Sequence, residues 1–393
     1  MRKNILFVFV LIVIVGAVWY LENTKARPQQ PGNASGQPVS VTLPTQQTIT
    51  AAKASTTASS AQNAKPTSTL DEVAAADQKA GYKPAIEIAD PTGFVNTAPL
   101  KLSDIVGKKI ILVDFWTYSC VTCIRTLPYL TSWYKKYAPQ GLEIIGIHTP
   151  EFDFEKDVNN VKAATQKYGV TYPVVLDSNY GTWQAYGNLY WPHEYLIDLA
   201  GYVVHDHVGE GGYAETDIQK LLAQRARILG IGSAVASTST MPAAPDLSGI
   251  GSPETYFGSA RNEYLANGIP STPGVQILQE PASASLNNLY LVGKWNFDNQ
   301  LATNETAGAK IIYKYRSSKV FLVGSSPQGA TVEVLQDGKP VGNAAGSDVR
   351  NGKVLIKESR LYNLIDNPDG SAEHTLELII DSPGLQAYTF TFG

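Results

Sequence analysis

Two cysteines occur among the 393 residues, and they stand together as Cys120-Val121-Thr122-Cys123. A pair at this spacing can exchange a disulfide with another molecule, because one thiolate attacks and its neighbour then displaces the mixed disulfide. Two cysteines build neither a framework of structural disulfides nor a four-ligand zinc site. The histidines His148, His193, His205, His207 and His374 show no spacing that would complete a metal site either. Redox exchange is the chemistry expected of this pair, with no metal and no cofactor beyond the Cys120–Cys123 disulfide itself.

The residues around the pair say how it would be positioned. Ile110-Ile111-Leu112-Val113-Asp114-Phe115 is an apolar, β-branched run of the kind found in a central buried strand. The stretch from Ile124 to Tyr137 reads as a helix, interrupted or kinked at Pro128. Cys120 then falls at a helix N-terminus, where unpaired N–H groups favour negative charge, and is the expected nucleophile. Cys123 comes one turn later on the same face and is the expected resolving thiol. Asp114, six positions before Cys120, interrupts the apolar strand. An isolated carboxylate there is costly and its pKa is raised, so it can accept the resolving thiol's proton; a surface aspartate at a strand edge is the alternative. Trp191-Pro192 precedes another strand, and its peptide is either cis or an ordinary trans bond at a strand start.

The surrounding pattern alternates strand and helix periods from about residue 81 to 229, which predicts an α/β domain around a sheet with parallel strands. Strands are expected over 142–148 and 174–177, helices over 157–168 and 217–227, and a hairpin joining 194–198 to 202–205 through Ala200-Gly201. Small residues and prolines over 230–251 mark a linker. Beyond it, short alternating strands over 289–295, 311–315, 320–323, 331–335, 354–357, 375–380 and 387–392, with turn signals at Asp337-Gly338 and Asn351-Gly352, predict an all-β sandwich or jelly roll over 252–393.

Before the α/β domain, Ile5 to Leu21 carries no charge, which predicts a single transmembrane helix within an anchor of residues 1–27. A cleaved signal peptide is the alternative, but no small-x-small pattern follows the run. Residues 28–80 begin with Gln, Thr, Ser, Ala and Pro and read as a flexible stalk. The stalk and the redox chemistry place the globular domains outside the cytoplasm, on a single-pass cell-membrane protein. A net charge of -4 provides no basic field for nucleic acid.

Ile111 to Trp116, the CxxC pair and Pro128 together resemble the thioredoxin superfamily. The phrases Trp116-Thr117-Tyr118-Ser119-Cys120, His148-Thr149-Pro150-Glu151-Phe152, Tyr190-Trp191-Pro192 and Gly209-Glu210-Gly211 are similar to TlpA-like redoxins, especially the extracytoplasmic part of DipZ-type proteins. The likeness extends into the β-rich region from Pro253-Glu254-Thr255-Tyr256-Phe257-Gly258. It implies a protein-disulfide oxidoreductase in which Pro192 is a cis proline facing the dithiol, and Trp191 and Trp116 line the substrate groove. It also implies a carbohydrate-binding-like module with Trp295, Tyr313 and Tyr315 as sugar-stacking residues, although aromatics on strands more often form core.

The implied partners are extracytoplasmic proteins with disulfides, a separate membrane electron donor, the membrane through residues 5–21, and a glycan or envelope protein met by the C-terminal domain. DipZ-type proteins often carry a multi-helix electron-conducting domain, and here one apolar run stands in its place. Thr126 occupies a position where reductants of cytochrome c maturation often have glutamate, a departure from a dedicated haem-thiol role. Val121-Thr122 lacks the histidine of strongly oxidising pairs, so reduction or isomerisation is the expected direction. Two other functions compete with this one. A peroxiredoxin-like peroxidase is suggested by Thr117 three before Cys120, though Val113 stands where that chemistry has proline. The other is an envelope or glycan-binding protein with a subsidiary redox domain.

Overall fold

The computed structural model describes residues 69–211, 214–232, 247 and 249–393. The apolar run 5–21, most of the expected stalk and most of the linker lie outside the described residues. Among the described residues no helix is long and apolar enough to cross a membrane.

The stalk reading fails over its last stretch, because Leu70–Ala80 forms helix α1. The Thr69 hydroxyl accepts the Glu72 N–H and the Glu72 carboxylate accepts the Thr69 N–H, a reciprocal cap that satisfies two otherwise unpaired donors. Then follow β1 (Lys83–Pro84), β2 (Gly93–Val95), β3 (Ile110–Trp116), α2 (Val121–Tyr137), β4 (Leu142–His148), α3 (Val158–Lys167), β5 (Val174–Leu176), α4 (Gly181–Ala185), β6 (His193–Ile197), β7 (Tyr202–Val208) and α5 (Glu215–Leu229). The strands form one sheet in the order β1-β7-β6-β3-β4-β5-β2. β3, β4 and β5 run parallel, and β6 and β7 close the other side as an antiparallel hairpin.

Every residue of β3 and β4 is buried, as central strands covered on both faces require. The period of two divides them. Leu112, Trp116, Ile144 and Leu196 pack with Leu127, Leu130 and Trp133 of α2 and with Ile218 and Leu222 of α5. Ile111, Val113, Phe115, Ile145 and Tyr195 face the other way, toward Leu102, Trp183 and Tyr186. Asp114 shares the parity of Leu112 and Trp116 and so lies on the face covered by α2.

The β-rich region contains β8 (Thr255–Tyr256), β9 (Gly274–Leu278), β10 (Leu289–Phe297), β11 (Ala302–Asn304), β12 (Ala309–Ser317), β13 (Lys319–Ser325), β14 (Ala330–Gln336), β15 (Lys339–Pro340), β16 (Lys353–Ile356), β17 (Arg360–Asp366), β18 (Ala372–Ile380) and β19 (Gln386–Phe392). Its main path runs β15-β14-β18-β12-β10-β11-β19-β13-β17. β10 belongs to two sheets: Leu289–Val292 pair with β12, while Gly293–Phe297 pair with β9. The change falls at Gly293, whose φ of 97° is open to glycine at little steric cost. The two sheets share one core, in which Tyr313 of β12 meets Phe390 and Phe392 of β19 at 5.7 and 5.6 Å. A sandwich is therefore present, and both expected turns have positive φ at Asp337-Gly338 and Asn351-Gly352.

The sugar-stacking reading of Trp295, Tyr313 and Tyr315 is corrected by their burial, since none of the three has measurable exposure. The Trp295 indole N–H donates to the Val292 carbonyl, and the Tyr313 hydroxyl bonds Thr255, as polar tips of core aromatics must. Trp295→Ala is expected to lower stability by about 3–5 kcal/mol in urea unfolding. A variant that unfolds at the wild-type midpoint would contradict its place in the core.

Candidate active site

β3 delivers the chain to the dithiol. After Trp116, residues 117–120 turn out of the sheet, and α2 starts at Val121 with Cys120 as its N-cap. Cys120 Sγ accepts the Cys123 N–H at 3.2 Å and lies 2.9 Å from the Thr122 hydroxyl. A negative charge on this sulfur would meet the open end of the helix, whose N–H groups have no carbonyl partners. Cys120 is half-buried and Cys123 is 1% exposed. Burial, followed by the nearby Cys120 and the Asp114 charge, pushes the Cys123 thiol well above its ordinary pKa. Cys123 thus stays protonated until a base removes its proton.

Asp114 sits beneath, 1% exposed, and burial alone raises its carboxyl to about 7. The strand-edge alternative is excluded, because β3 has neighbours on both sides. Trp191-Pro192 is cis, with Pro192 one residue beyond the pair Phe115–His193 and so beside the end of β3. Trp191 is half-buried, donates its indole N–H to the Thr149 carbonyl at 3.1 Å and packs on Trp183 at 4.2 Å. Trp116 does not line a groove. It is fully buried, meets the His148 ring edge-on, and presses so close to Gly146 that a Cβ there would lie 2.7 Å from its Nε1. Trp116 is thus core beneath the site, because its parity points it under α2.

Several further groups hold the site, and of these Glu155 and Arg125 carry no local sequence signal. Glu155 is buried, and one carboxylate oxygen accepts the Ser119 N–H and hydroxyl at 3.2 and 2.6 Å. Its other oxygen accepts the N–H groups of Glu151 and Phe152, which ties the dithiol loop to the segment after β4. Within the run Glu151 to Lys156 nothing marks this glutamate apart from its charged neighbours. Tyr118 stacks on His148 at 5.6 Å, and burial lowers that imidazole to about 3, so it is neutral. The Thr117 hydroxyl lies 3.4 Å from His148 Nε2. Arg125 of α2 makes a two-pronged pair with Glu210 at 2.7 and 2.6 Å, and the neighbouring Gly209 N–H donates to the Pro192 carbonyl. The phrase Gly209-Glu210-Gly211 therefore joins the proline loop to the dithiol helix.

The β-rich region reaches the same place. Val121, inside the CxxC, and Ile124 pack with Phe152, Phe154, Tyr256, Val323, Leu361 and Tyr388. Tyr388 meets Phe152 and Phe154 edge-on at 5.0 and 4.8 Å. Arg261 pairs with Glu151 at 2.7 Å and lies 3.6 Å over the Tyr256 ring. Glu254, raised by burial and then by Glu151 to about 8, also bonds the Tyr256 hydroxyl. Removing the guanidinium leaves Glu151 and Glu254 facing each other, so Arg261→Ala should destabilise the fold by about 1–3 kcal/mol. The loss should grow as pH rises through 8, when Glu254 ionises, and flat pH dependence in thermal melts would refute this.

Residues 83–206 match the AhpC/TSA family, and residues 252–393 match the thioredoxin like C-terminal domain. The chain is 35% identical over 338 residues to Protein DipZ of Mycobacterium tuberculosis, a match covering 85% of this chain and 46% of that protein. It thus spans about half the length of the curated relatives it matches there. It is 26% identical over 144 residues to thiol-disulfide oxidoreductase YkuV of Bacillus subtilis, covering 36% of this chain and 96% of that one. Thiol-disulfide oxidoreductase ResA of Bacillus thuringiensis is 34% identical over 111 residues, covering 28% and 61% of the two chains. With its dithiol at a strand-to-helix junction and a β-rich region beyond, the chain carries a thioredoxin-like domain of the AhpC/TSA family over 83–206 and a thioredoxin like C-terminal domain over 252–393, and is similar over most of its length to Protein DipZ.

Proposed function

We infer that this protein reduces or isomerises disulfides in extracytoplasmic proteins, from a membrane anchor at residues 5–21. The observation that carries the chemistry is the asymmetry of the two sulfurs. Cys120 is half-buried at a helix N-terminus, while Cys123 is sealed beneath it above a buried acid. Cys120 attacks a substrate disulfide, Cys123 displaces the substrate, and Asp114 takes the Cys123 proton. Trp191 and Pro192 offer the substrate an edge beside the dithiol. Electrons reach the oxidised pair from a separate membrane donor, and the β-rich region packed on Val121 restricts which proteins approach. The domain plan is an anchor and stalk, a redoxin domain over about 81–229, a linker and a β-sandwich from about 252, which meets an envelope protein or glycan with its outer surface.

Titration of the Cys120–Cys123 couple against glutathione buffers tests direction: a potential below the glutathione couple supports reduction, and one far above it refutes that. Protease treatment of intact cells tests sidedness, and protection of residues 69–393 would refute an extracytoplasmic position. Peroxide consumption is the competing activity. Fast peroxide turnover that survives Cys123→Ser would favour it, whereas the Thr117 hydroxyl at His148 speaks against a peroxidatic TxxC arrangement.

A further inference from the structure

Three ionisable side chains lie in one line across the redoxin sheet. The register pairs Asp114 of β3 with Glu194 of β6, and Glu194 with His207 of β7. Opposed residues on adjacent strands project from the same face with Cβ atoms about 4.5–5.5 Å apart. The row therefore runs along the face that α2 covers, on which Cys123 sits. Glu194 is 1% exposed, and neither of its carboxylate oxygens has a hydrogen-bond partner; Asp114 Oδ1 has none either. Neither acid is paired with a lysine or arginine among the described residues.

Two carboxyls this close and this dry cannot both be ionised, so the pair retains at least one proton at neutral pH. A leucine at position 194 would continue the apolar pattern of β6 without that desolvation cost. His207 stands at the outer end of the row, half-buried. One ring nitrogen meets the Glu210 main chain, and Nε2 is buried without a partner. A ring that donates through one nitrogen presents the other as an acceptor.

We propose that Glu194 and His207 carry the Cys123 proton away from the dithiol, Glu194 by sharing it with Asp114 and His207 by passing it to solvent at the sheet's β7 side. The inference rests on Asp114 as first acceptor. In the resolving step the Cys123 sulfur bonds to the Cys120 sulfur and the bond from Cys120 to the substrate sulfur breaks. The electron pair leaves with the substrate thiolate, which takes a proton from water. The Cys123 proton enters the Asp114–Glu194 pair, and a proton leaves through His207. The dithiol is oxidised and the substrate reduced, with no further reactant. Glu194 and His207 are positioning residues that act through Asp114 and touch no reacting sulfur. The other titratable groups facing the row are His205 of β7, Asp217 of α5 at 3.4 Å from His205, and Tyr172, whose hydroxyl is unpartnered.

The test uses the full reduced chain and 5,5′-dithiobis(2-nitrobenzoate), followed by stopped flow across about pH 5 to 8. Cys120 releases the first coloured thiolate and Cys123 the second, so the two steps are read separately. Glu194→Gln should leave the first phase unchanged, slow the second about tenfold at pH 7 and shift its pH midpoint, a change equivalent to one pKa unit. His207→Gln should slow the second phase to a lesser extent with the same first phase. Asp114→Asn is the reference. If it slows the second phase while Glu194→Gln matches wild type at every pH, the relay is wrong and the Asp114 assignment stands. If Asp114→Asn also matches wild type, the assignment itself falls. Equal slowing of both phases by Glu194→Gln would show a structural role and overturn the relay. Should Glu194→Gln not fold, Glu194→Leu, which suits the apolar run of β6, is compared with wild type by infrared spectroscopy at neutral pH: loss of protonated-carboxyl intensity supports the shared proton, and the same band in both, as Glu254 alone would give, overturns it.

Discussion

Cys120→Ser is expected to abolish exchange with any disulfide, down to the uncatalysed background, while Cys123→Ser keeps the first half of the reaction and stalls there. The difference follows from depth. Cys120 is the half-exposed sulfur at the start of α2, and only a thiolate attacks. Cys123 is 1% exposed, and burial holds its proton, so it meets a disulfide only after Cys120 has drawn one in. In the Cys123→Ser protein the mixed disulfide should accumulate in one-to-one stoichiometry, read by intact-mass spectrometry, and the bound proteins identify the substrates. Equal residual turnover in the two variants would contradict the assigned order.

Asp114→Asn should make the protein more stable and less active at once. The carboxyl titrates near 7 in the fold and near 3.8 when exposed, because burial penalises its charged form. Between those values the folded chain binds a proton that the unfolded chain has released. Stability contributed by this group is therefore complete below about pH 4 and is lost as pH rises through 7, by roughly 4 kcal/mol in all. Asparagine does not titrate, so the variant should match wild type near pH 4 and exceed it by up to that amount near pH 8, in denaturant melts at each pH. Removal of the base should also slow the resolving step roughly 10²-fold. A variant no more stable at pH 8 than at pH 4, relative to wild type, would remove Asp114 from the buried site.

Ile110 to Phe115 is a central strand because its apolar, β-branched run suits burial on both faces, and that run alone marked Asp114 as anomalous. Asp337-Gly338 and Asn351-Gly352 turn as their residue types require. The helix Leu70–Ala80 is legible in the cap formed by Thr69 and Glu72, but its alanine-rich composition resembles the preceding segment and so reads as stalk. β17 has no strand signature in the sequence, because its buried positions come in pairs and break the alternation that marks a strand. The resemblance implies a place for Trp116 in the substrate groove, yet the parity it shares with Asp114 assigns it to the covered face.

By itself, then, the sequence determined the reacting pair, the strand and helix that hold it, the anomalous acid and the two kinds of fold, since each is written in composition and period over a few adjacent residues. Only the tertiary structure decided that Glu194 and His207 fall in line with Asp114, that Glu155 fastens the dithiol loop, and that the β-rich region closes on Val121 while keeping Trp295, Tyr313 and Tyr315 inside. The reason is physical: local pattern fixes which residues share a face, but strand register and packing between distant segments fix which of those residues meet.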